Sequence, residues 1–173
     1  MVGLWRIDNG KLESTSFCIV DAQSVQNADT AKEKGYDAAK KVSGIKRPIA
    51  VDTNGLPQAL FVTTANISDK AGAILMIENN RFSLPCVRNI LCDGGYRGKP
   101  FADRIRQIIG ATVTIVKRNA PHQFEIFPKR WIVERTFGWL DKCRRLWKNC
   151  ERTLHISHQM MVFAFISLIL KRF

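Results

Sequence analysis

Three acidic residues stand beside separate apolar stretches of this sequence. Asp21 and Asp93 each follow a short apolar run, and Glu134 lies in a helix-like stretch at 129–140. A carboxylate beside a buried strand is costly unless its charge is compensated, and a divalent cation is one partner that compensates it. Mg²⁺ ions held by a few carboxylates can stabilise the attacking and leaving oxygens of a phosphodiester reaction. The three acids therefore predict a site for metal-dependent phosphoryl transfer.

Other acids compete for this interpretation, because an isolated Asp or Glu is more often a helix cap, a turn residue or an ion-pair partner. Asp52 precedes the residues Thr-Asn-Gly of a predicted tight turn, where Asp is common. Asp69 is a candidate N-cap of a helix. Asp141 follows Glu134 along the same predicted helix and lies either near the site or on the surface. We rank these three below the first set, although spacing alone does not show that any acids converge.

The overall charge favours a polyanionic partner. The chain has 173 residues, with 27 Lys and Arg against 15 Asp and Glu, which gives a formal net charge of +12. Nucleic acid is the commonest partner of such a surface, and a ribosome-associated or merely soluble basic protein is the alternative. Apolar residues make up 46% of the chain, so its length and composition predict one domain with a buried core.

Cysteine usage and hydropathy indicate a cytoplasmic protein without a membrane anchor. The five cysteines include no Cys-x-x-Cys pair, so a zinc site or a disulfide framework is poorly supported and a reducing compartment fits better. The most apolar run, 160–170, is shorter than the roughly 20 residues that a spanning helix needs. We predict a buried C-terminal helix there.

The elements that must position the acids follow from hydrophobic periodicity and turn signals. The segment 1–15 is predicted to be irregular, and 26–47 to be a polar connection. The order βββαβαβα with an added terminal helix predicts an α/β fold, with a mixed sheet and helices on its faces. Strands are predicted at 16–21, 48–52, 58–64, 88–92 and 111–116, and helices at 69–79, 100–109, 129–148 and 155–171.

Four segments resemble bacterial insertion-sequence transposases of the Asp-Asp-Glu class. They lie at 19–25, 46–56, 93–98 and 130–140, and the likeness keeps the same order from about residue 16 to 150. Four matched blocks are more specific than a single motif. The resemblance implies a ribonuclease H-like catalytic core, with a mixed five-stranded sheet, flanking helices and an extra C-terminal helix.

The same resemblance implies roles for the acids. Asp21, Asp93 and Glu134 would form the catalytic triad and hold two Mg²⁺ ions, with Mn²⁺ able to substitute. The implied activity is strand cleavage at the ends of an insertion sequence, followed by attack of the freed 3′-hydroxyl on target DNA. The implied partners are double-stranded DNA and further copies of the chain, as a homo-oligomer on that DNA.

Basic residues near the acids are predicted to contact DNA phosphates. Arg130 precedes Glu134 by four residues, so the two share a helix face, and related transposases carry a Tyr-Arg-Glu-Lys signature there. Phe127 and Asp141 stand at its tyrosine and lysine positions, so this chain departs from it. Each cation has the alternative of being an ordinary surface charge. The predicted DNA contacts are Lys46, Arg47, Arg97, Lys117, Arg118, Arg130, Arg135, Lys142, Arg144 and Arg145.

Three tryptophans of the last third have two interpretations. We predict that Trp131, Trp139 and Trp147 belong to the core. The alternative is stacking on DNA bases, which surface aromatic residues beside basic residues would favour.

The expected organisation is an irregular N-terminal remnant at 1–15 and a catalytic domain at 16–173. The resembling family carries an N-terminal helical region that recognises the terminal inverted repeats, and we expect this chain to lack it. A competing hypothesis follows: a truncated, non-catalytic fragment that binds DNA or transposase and regulates transposition. A ribonuclease H-like nuclease acting on another nucleic acid is the third.

Overall fold

The computed structural model describes residues 1–116 and 129–171, which form one sheet with helices on both faces. The helices are α1 Val2–Asp8, α2 Asp69–Asn79, α3 Lys99–Ile109, α4 Arg130–Asp141 and α5 Leu154–Leu170. The strands are β1 Phe17–Gln26, β2 Gly35–Asp37, β3 Val42–Val51, β4 Pro57–Leu60, β5 Thr63–Thr64, β6 Asn89–Cys92 and β7 Thr112–Ile115.

The sheet is mixed, as predicted. β1 pairs antiparallel with β3 and parallel with β6, and β7 pairs parallel with β6. Ile49 of β3 pairs with Asp21 of β1 on one edge and with Leu60 of β4 on the other. Gly44 of β3 pairs with both β1 and β2, and the next two residues of β3 pair with both β1 and β5. The strands β2, β5 and β4 therefore follow one another along the edge of β3 that faces away from β1. Within the described residues the sheet has seven strands rather than the predicted five, because the three short strands β2, β4 and β5 lie along one edge of β3.

Alternation along β1 divides the core into two layers. Cys18 and Val20 pack on one face of the sheet with residues of α2 and α3. Ile19 and Val25 pack on the opposite face with residues of α4 and α5. Successive strand side chains point to opposite faces, so Asp21 lies on the side of Ile19. The sheet therefore presents Asp21 to the layer that contains α4.

The segment 26–47 is not the polar connection that we predicted, since β2 and the first half of β3 lie within it. Lys46 and Arg47 are buried in β3, with side-chain partners that lie far away in the sequence. A strand whose charged side chains are paired inside the protein looks like a loop when polarity alone is considered.

The N-terminal segment is also more regular than predicted, because Val2–Asp8 is helical. Arg6 anchors this helix: its Nη1 forms a buried ion pair with Asp52, and its Nε donates to the carbonyl oxygen of Leu12 at 2.8 Å. The prediction that residues 1–15 lie apart from a domain at 16–173 stays a prediction.

Helix α4 ends at Asp141, seven residues earlier than predicted. After it the chain turns so that Asn149 meets the end of β1, where its N–H donates to the Gln26 carbonyl at 2.9 Å. The Ala28 N–H in turn donates to the Asn149 carbonyl at 2.8 Å. A helix continuing to residue 148 could not make this return. Across the two described ranges, no helix combines the length and apolar character needed to cross a membrane.

Candidate active site

Neighbouring parallel strands bring Asp21 and Asp93 to the same level of the sheet. Ile19 of β1 pairs with Leu91 of β6, and each aspartate lies two residues beyond its member of that pair. β6 ends at Cys92, whereas β1 continues to Gln26, so Asp21 lies inside its strand and not at the end that we predicted. Parallel pairing keeps this register, and the two carboxylates become neighbours where β6 stops.

Backbone amides hold one oxygen of each aspartate. The Ala22 N–H donates to Asp21 Oδ1 at 2.8 Å. Asp93 is the N-cap of a short 3-10 turn at Gly94–Tyr96, and its Oδ1 accepts from the Gly95 N–H at 2.8 Å. A Cβ added at Gly95 would lie 3.0 Å from the same oxygen, so a side chain there would crowd the carboxylate. The local sequence therefore orients both acids before any ligand arrives.

The environment of Asp21 disfavours its negative charge. Burial raises the pKa of Asp21 to about 6, and the charge of Asp93 adds to the increase. The Ala22 N–H, Arg130 and Lys40 act in the opposite direction. A cation shared by the two aspartates would favour the ionised form of both.

Helix α4 adds a cation and a third acid. Arg130 Nη2 lies 3.5 Å from Asp93 Oδ2, and Arg130 Nε lies 3.5 Å from Glu134 Oε1. Both separations are long for hydrogen bonds, so these ion pairs hold the guanidinium weakly. The Glu134 side chain is 59% exposed. Arg130 thus lies between the second and third predicted acids.

The residues present fit a divalent cation in part. Carboxylate oxygens are the ligands that Mg²⁺ prefers, and the neighbouring Asp21 and Asp93 gain from a shared positive charge. Within residues 1–116 and 129–171, however, no group of three or more His, Cys, Asp or Glu residues is arranged to hold a metal ion. The structure brings the two aspartates together, and Glu134 would join them only by exchanging its contact with Arg130.

An open pocket of about 390 Å³ lies beside Asp93. Gly94, Gly95, Arg97 and Arg130 complete its lining. Two of the cations that we predicted as DNA contacts therefore face the same space as one of the predicted catalytic acids. Anionic oxygens entering this pocket would meet both guanidinium groups.

Lys46 and Arg47 do not belong to this surface, and their prediction as DNA contacts is wrong. The Lys46 side chain is 4% exposed, and its Nζ lies 3.1 Å from Asp37 Oδ2 and 2.8 Å from Asp69 Oδ1. Arg47 is 1% exposed and donates from Nη1 to the Leu146 carbonyl at 2.7 Å. Burial lowers the pKa of Arg47 to about 10. Both cations are therefore paired with groups inside the protein.

Arg135 lies on the outer side of α4 between two indoles. Its guanidinium carbon is 4.5 Å from the ring centre of Trp131 and 4.9 Å from that of Trp139. Its Nη2 donates to the Asn54 carbonyl at 2.9 Å. Trp131 is 50% exposed and Trp147 62% exposed, so the core prediction is wrong for these two. A planar guanidinium stacks well on aromatic faces, and the stack gives Trp131 a partner outside the core.

The remaining predicted cations lie beyond α4. Lys142, Arg144 and Arg145 are exposed, and Arg145 Nε donates to Glu151 Oε1 at 2.7 Å. Asp141, at the lysine position of the family signature, accepts from Gln23 Nε2 at 2.9 Å. The predictions for Lys117, Arg118 and Phe127 lie outside the described residues.

Two lysines near the site escaped the sequence analysis. Lys40 Nζ donates at 3.0 Å to the carbonyl oxygen of Ala22, the residue that follows Asp21. Lys70 Nζ donates at 2.7 Å to the carbonyl oxygen of Arg97. Neither lysine lies within the matched segments, and each reaches the site only through tertiary contacts, so the sequence carried no signal for them.

Comparisons with known proteins identify the family and the fold of the chain. Residues 13–170 match the family described as Transposase DDE domain. A curated relative from Burkholderia cepacia, described as “Putative transposase for insertion sequence element IS402”, is 31% identical over 124 residues. That match covers 65% of this chain and 56% of the relative, so the chain spans about half of the relative's length.

Solved structures share the fold. The catalytic core domain of BIV integrase superposes with a TM-score of 0.53 at 13% identity, covering 90% of this chain and 84% of that one. A simian T-cell lymphotropic virus intasome, solved with the PP2A regulatory subunit B56 gamma, gives a TM-score of 0.50 at 16% identity, with coverages of 75% and 39%. At these identities the likeness concerns the fold alone, and it confirms the predicted ribonuclease H-like α/β class. With 13–170 matched, the chain belongs to the Transposase DDE domain family.

Proposed function

We propose that this chain is the catalytic domain of a cytoplasmic DNA transposase. It would cleave strands at insertion-sequence ends and join the freed 3′-hydroxyl to target DNA. The observation that carries the proposal is the alignment of Asp21 and Asp93 on neighbouring parallel strands, with Arg130 and Glu134 approaching from α4. Membership of the transposase family supports the class of reaction.

Asp21, Asp93 and Glu134 would hold the metal, which we expect to be two Mg²⁺ ions, with Mn²⁺ able to replace them. When bound, such ions supply Lewis-acid stabilisation of the attacking and leaving oxygens. Glu134 is exposed and only weakly paired with Arg130, so a modest side-chain rearrangement would bring its carboxylate toward the aspartates.

Arg130 would exchange partners as DNA arrives. Its guanidinium lies 3.5 Å from a carboxylate oxygen of Asp93 and 3.5 Å from one of Glu134. A phosphate accepts two parallel N–H bonds from an arginine and is a stronger partner than a distant carboxylate. Arg130 would then hold the reacting phosphate beside Asp93, and Arg97 would approach it from the same pocket.

The wider DNA surface would extend along α4. We propose that the chain binds double-stranded DNA as a homo-oligomer, because an element has two ends to be cut. Trp131 is exposed on α4, Arg130 and Arg135 are partly exposed on the same helix, and the exposed Lys142, Arg144 and Arg145 follow it. Aromatic and basic side chains in this arrangement suit a nucleic-acid surface. The proposed phosphate contacts are Arg97, Arg130, Arg135, Lys142, Arg144 and Arg145, together with Lys117 and Arg118, which lie outside the described residues.

The test is metal-dependent strand cleavage of DNA that carries the ends of the parent element. Wild-type protein should nick this DNA with Mg²⁺ or Mn²⁺, whereas Asp93→Asn and Glu134→Gln, which keep side-chain shape, should not. Glu78→Gln is the matched control, because Glu78 pairs with Arg104 on the α2–α3 side and is remote from the pocket. Persistent cleavage by Asp93→Asn would overturn the proposal.

One observation favours the alternative of a non-catalytic, regulatory fragment. Glu134 contacts Arg130, and the three acids do not form a metal-binding group within the described residues. A fragment of this kind would bind DNA or full-length transposase and reduce transposition without cutting. Inhibition that is unchanged in Asp93→Asn, from a chain that never nicks DNA, would support this alternative.

A further inference from the structure

A second cavity opens beside the pocket at Asp93. It has a volume of about 480 Å³ and lies between β2, β3 and the start of α2. Lys40 and Lys70 line it, and Tyr36 stands in its lining with 57% of its surface exposed. Gly95 lines both this cavity and the pocket of Asp93. The two spaces therefore meet at Gly95, and we call the larger one the lysine groove.

The charges within the lysine groove leave its open side positive. Asp37 and Asp69 also line it, but the buried Lys46 lies 3.1 Å from the first and 2.8 Å from the second. Asp37 further accepts from Ser24 Oγ at 2.7 Å. Lys40 lies 3.4 Å from Asp69 and keeps 40% of its side chain exposed. Lys46 pairs with both aspartates, so the lining of three lysines and two aspartates keeps a net positive charge. An ammonium group has three N–H donors, so Lys40 and Lys70 can each contact a ligand in addition to their partners within the chain.

The two lysines connect the groove to the site. Lys40 Nζ donates to the carbonyl that follows Asp21, and Lys70 Nζ donates to the carbonyl of Arg97. Arg97 and Arg130 then line the pocket that contains Asp93. The cations thus follow one another along a path, instead of converging on a point as they would around a small anion.

We propose that the lysine groove receives the phosphodiester backbone of the DNA strand that continues from the reacting phosphate, with Lys40 and Lys70 contacting its phosphates. This inference rests on the proposed function for the position of that phosphate. The exposed ring of Tyr36 would stack on a base of the same strand, since base–aromatic stacking accompanies positively charged strand grooves.

The first test measures DNA binding without metal, so that it does not depend on catalysis. A labelled duplex of mixed sequence is titrated in EDTA at several salt concentrations with wild type, K40Q/K70Q and R81Q/R88Q. The variant R81Q/R88Q removes the same charge away from the lysine groove. The groove lies at the start of α2, whereas Arg81 follows the end of α2 and Arg88 precedes β6. Each phosphate contact contributes a slope of about −0.9 in log K against log salt. We expect K40Q/K70Q to lose about 1.8 of that slope and R81Q/R88Q to keep the wild-type value.

Charge-preserving variants separate phosphate contact from folding. K40R/K70R should restore the wild-type slope, and all variants should show the circular dichroism spectrum of the wild type. Equal slopes for K40Q/K70Q, R81Q/R88Q and wild type would overturn the proposal that the lysine groove binds DNA. The proposal of metal-dependent cleavage would not be affected by that result. A chain that never cleaves DNA, yet loses the slope in K40Q/K70Q, would refute the proposed catalysis and support the groove as a strand-binding surface.

Discussion

Asp52 and Asp93 occupy equivalent places in two strands, yet their surroundings differ. Each follows the last residue of a buried strand and begins a tight turn. Asp52 is fully buried, accepts from the N–H groups of Asn54 at 2.8 Å and Leu56 at 3.0 Å, and pairs with Arg6. Asp93 is 29% exposed and has one backbone donor and a guanidinium at 3.5 Å. A carboxylate with all its partners inside the protein is structural, whereas a weakly paired one beside a like charge remains available to a ligand.

The structural turn nevertheless supports the site. Thr136 Oγ1 donates to the Gly55 carbonyl at 3.1 Å, and Arg135 Nη2 donates to the Asn54 carbonyl at 2.9 Å. Both donors directly follow Glu134 on α4. The turn that Asp52 organises therefore fixes the helix from which Glu134 and Arg130 reach the acids. Replacing Asp52 should therefore mainly lower the stability of the chain, whereas replacing Asp93 should mainly lower its cleavage activity.

The largest expected effect is on stability. Asp52→Ala leaves Arg6 buried without its partner and removes two turn acceptors, so unfolding free energy should fall by about 3–5 kcal/mol. Urea denaturation measures it. Glu78→Ala, which breaks the exposed pair with Arg104, should lower it by less than about 1 kcal/mol. Equal losses in the two variants would show that Asp52 stabilises the chain no more than an exposed ion-pair residue does, and would contradict its structural role.

Asp93→Asn should have the reverse profile. Cleavage should fall at least ~100-fold, because even outer partners of metal ligands contribute about 10–100-fold. Its thermal midpoint in EDTA should equal or exceed that of wild type, since the charge that opposes ionisation of Asp21 is gone. Single-turnover nicking and thermal denaturation of the same preparation test both. An Asp93→Asn variant that is strongly destabilised but still cleaves DNA would show that Asp93 has a structural role instead of a catalytic one.

The raised pKa of Asp21 predicts that replacing this residue with a neutral one stabilises the folded chain, by an amount that depends on pH. Its pKa is about 6 in the folded chain and about 3.9 when unfolded, so the folded state binds the extra proton between these values. The penalty is absent below pH 4, grows as pH rises through 6 and is complete above it. In EDTA, Asp21→Asn should therefore stabilise the chain by about 3 kcal/mol at pH 7.5 and by nothing at pH 3.5. A constant difference across this range would exclude the titration of Asp21 as its cause.

Local signals allowed part of this structure to be predicted. The predicted helix at 69–79 is α2, Asp69–Asn79, and its N-cap is Ser68, one residue before the Asp69 that we predicted, with the Ser68 side chain accepting from the Ala71 N–H at 3.2 Å. These features depend on residues that are near one another in the sequence. The side-by-side placement of Asp21 and Asp93 depends on parallel strand pairing, which local patterns do not specify.

Buried charges were the main source of error. Lys46 lies in a strand because Asp37 and Asp69 neutralise it, and Arg47 does so because it reaches the Leu146 carbonyl. In each case the compensating group is brought close only by the completed fold. The exposed Trp131 was missed for the same reason, since its partner Arg135 makes an outward position favourable. Sequence polarity reports where charges occur, but not which partners they meet.

The smallest expected effect isolates the contact between the Asp52 turn and α4. Gly55 and Gly110 both have positive φ, +83° and +72°, so alanine at either site is strained by about 1–2 kcal/mol. A Cβ at Gly110 meets nothing within 4 Å, whereas a Cβ at Gly55 would lie 2.7 Å from Thr136 Oγ1. Gly55→Ala should therefore lower the free energy of unfolding by about 1 kcal/mol more than Gly110→Ala does, as measured by urea denaturation.

Gly55→Ala should also reduce cleavage, because α4 must shift to accept the methyl group. Gly110→Ala should leave cleavage unchanged. Gly55→Ala combined with Thr136→Ser keeps the hydroxyl and its crowding, whereas Thr136→Ala removes the clashing oxygen. Recovery of activity in the second pair alone would trace the effect to Thr136. Recovery in neither would trace it to the Trp139 ring, two carbons of which would lie 3.1 Å from the same Cβ. A Gly55→Ala variant with wild-type cleavage would show that the turn does not position Glu134.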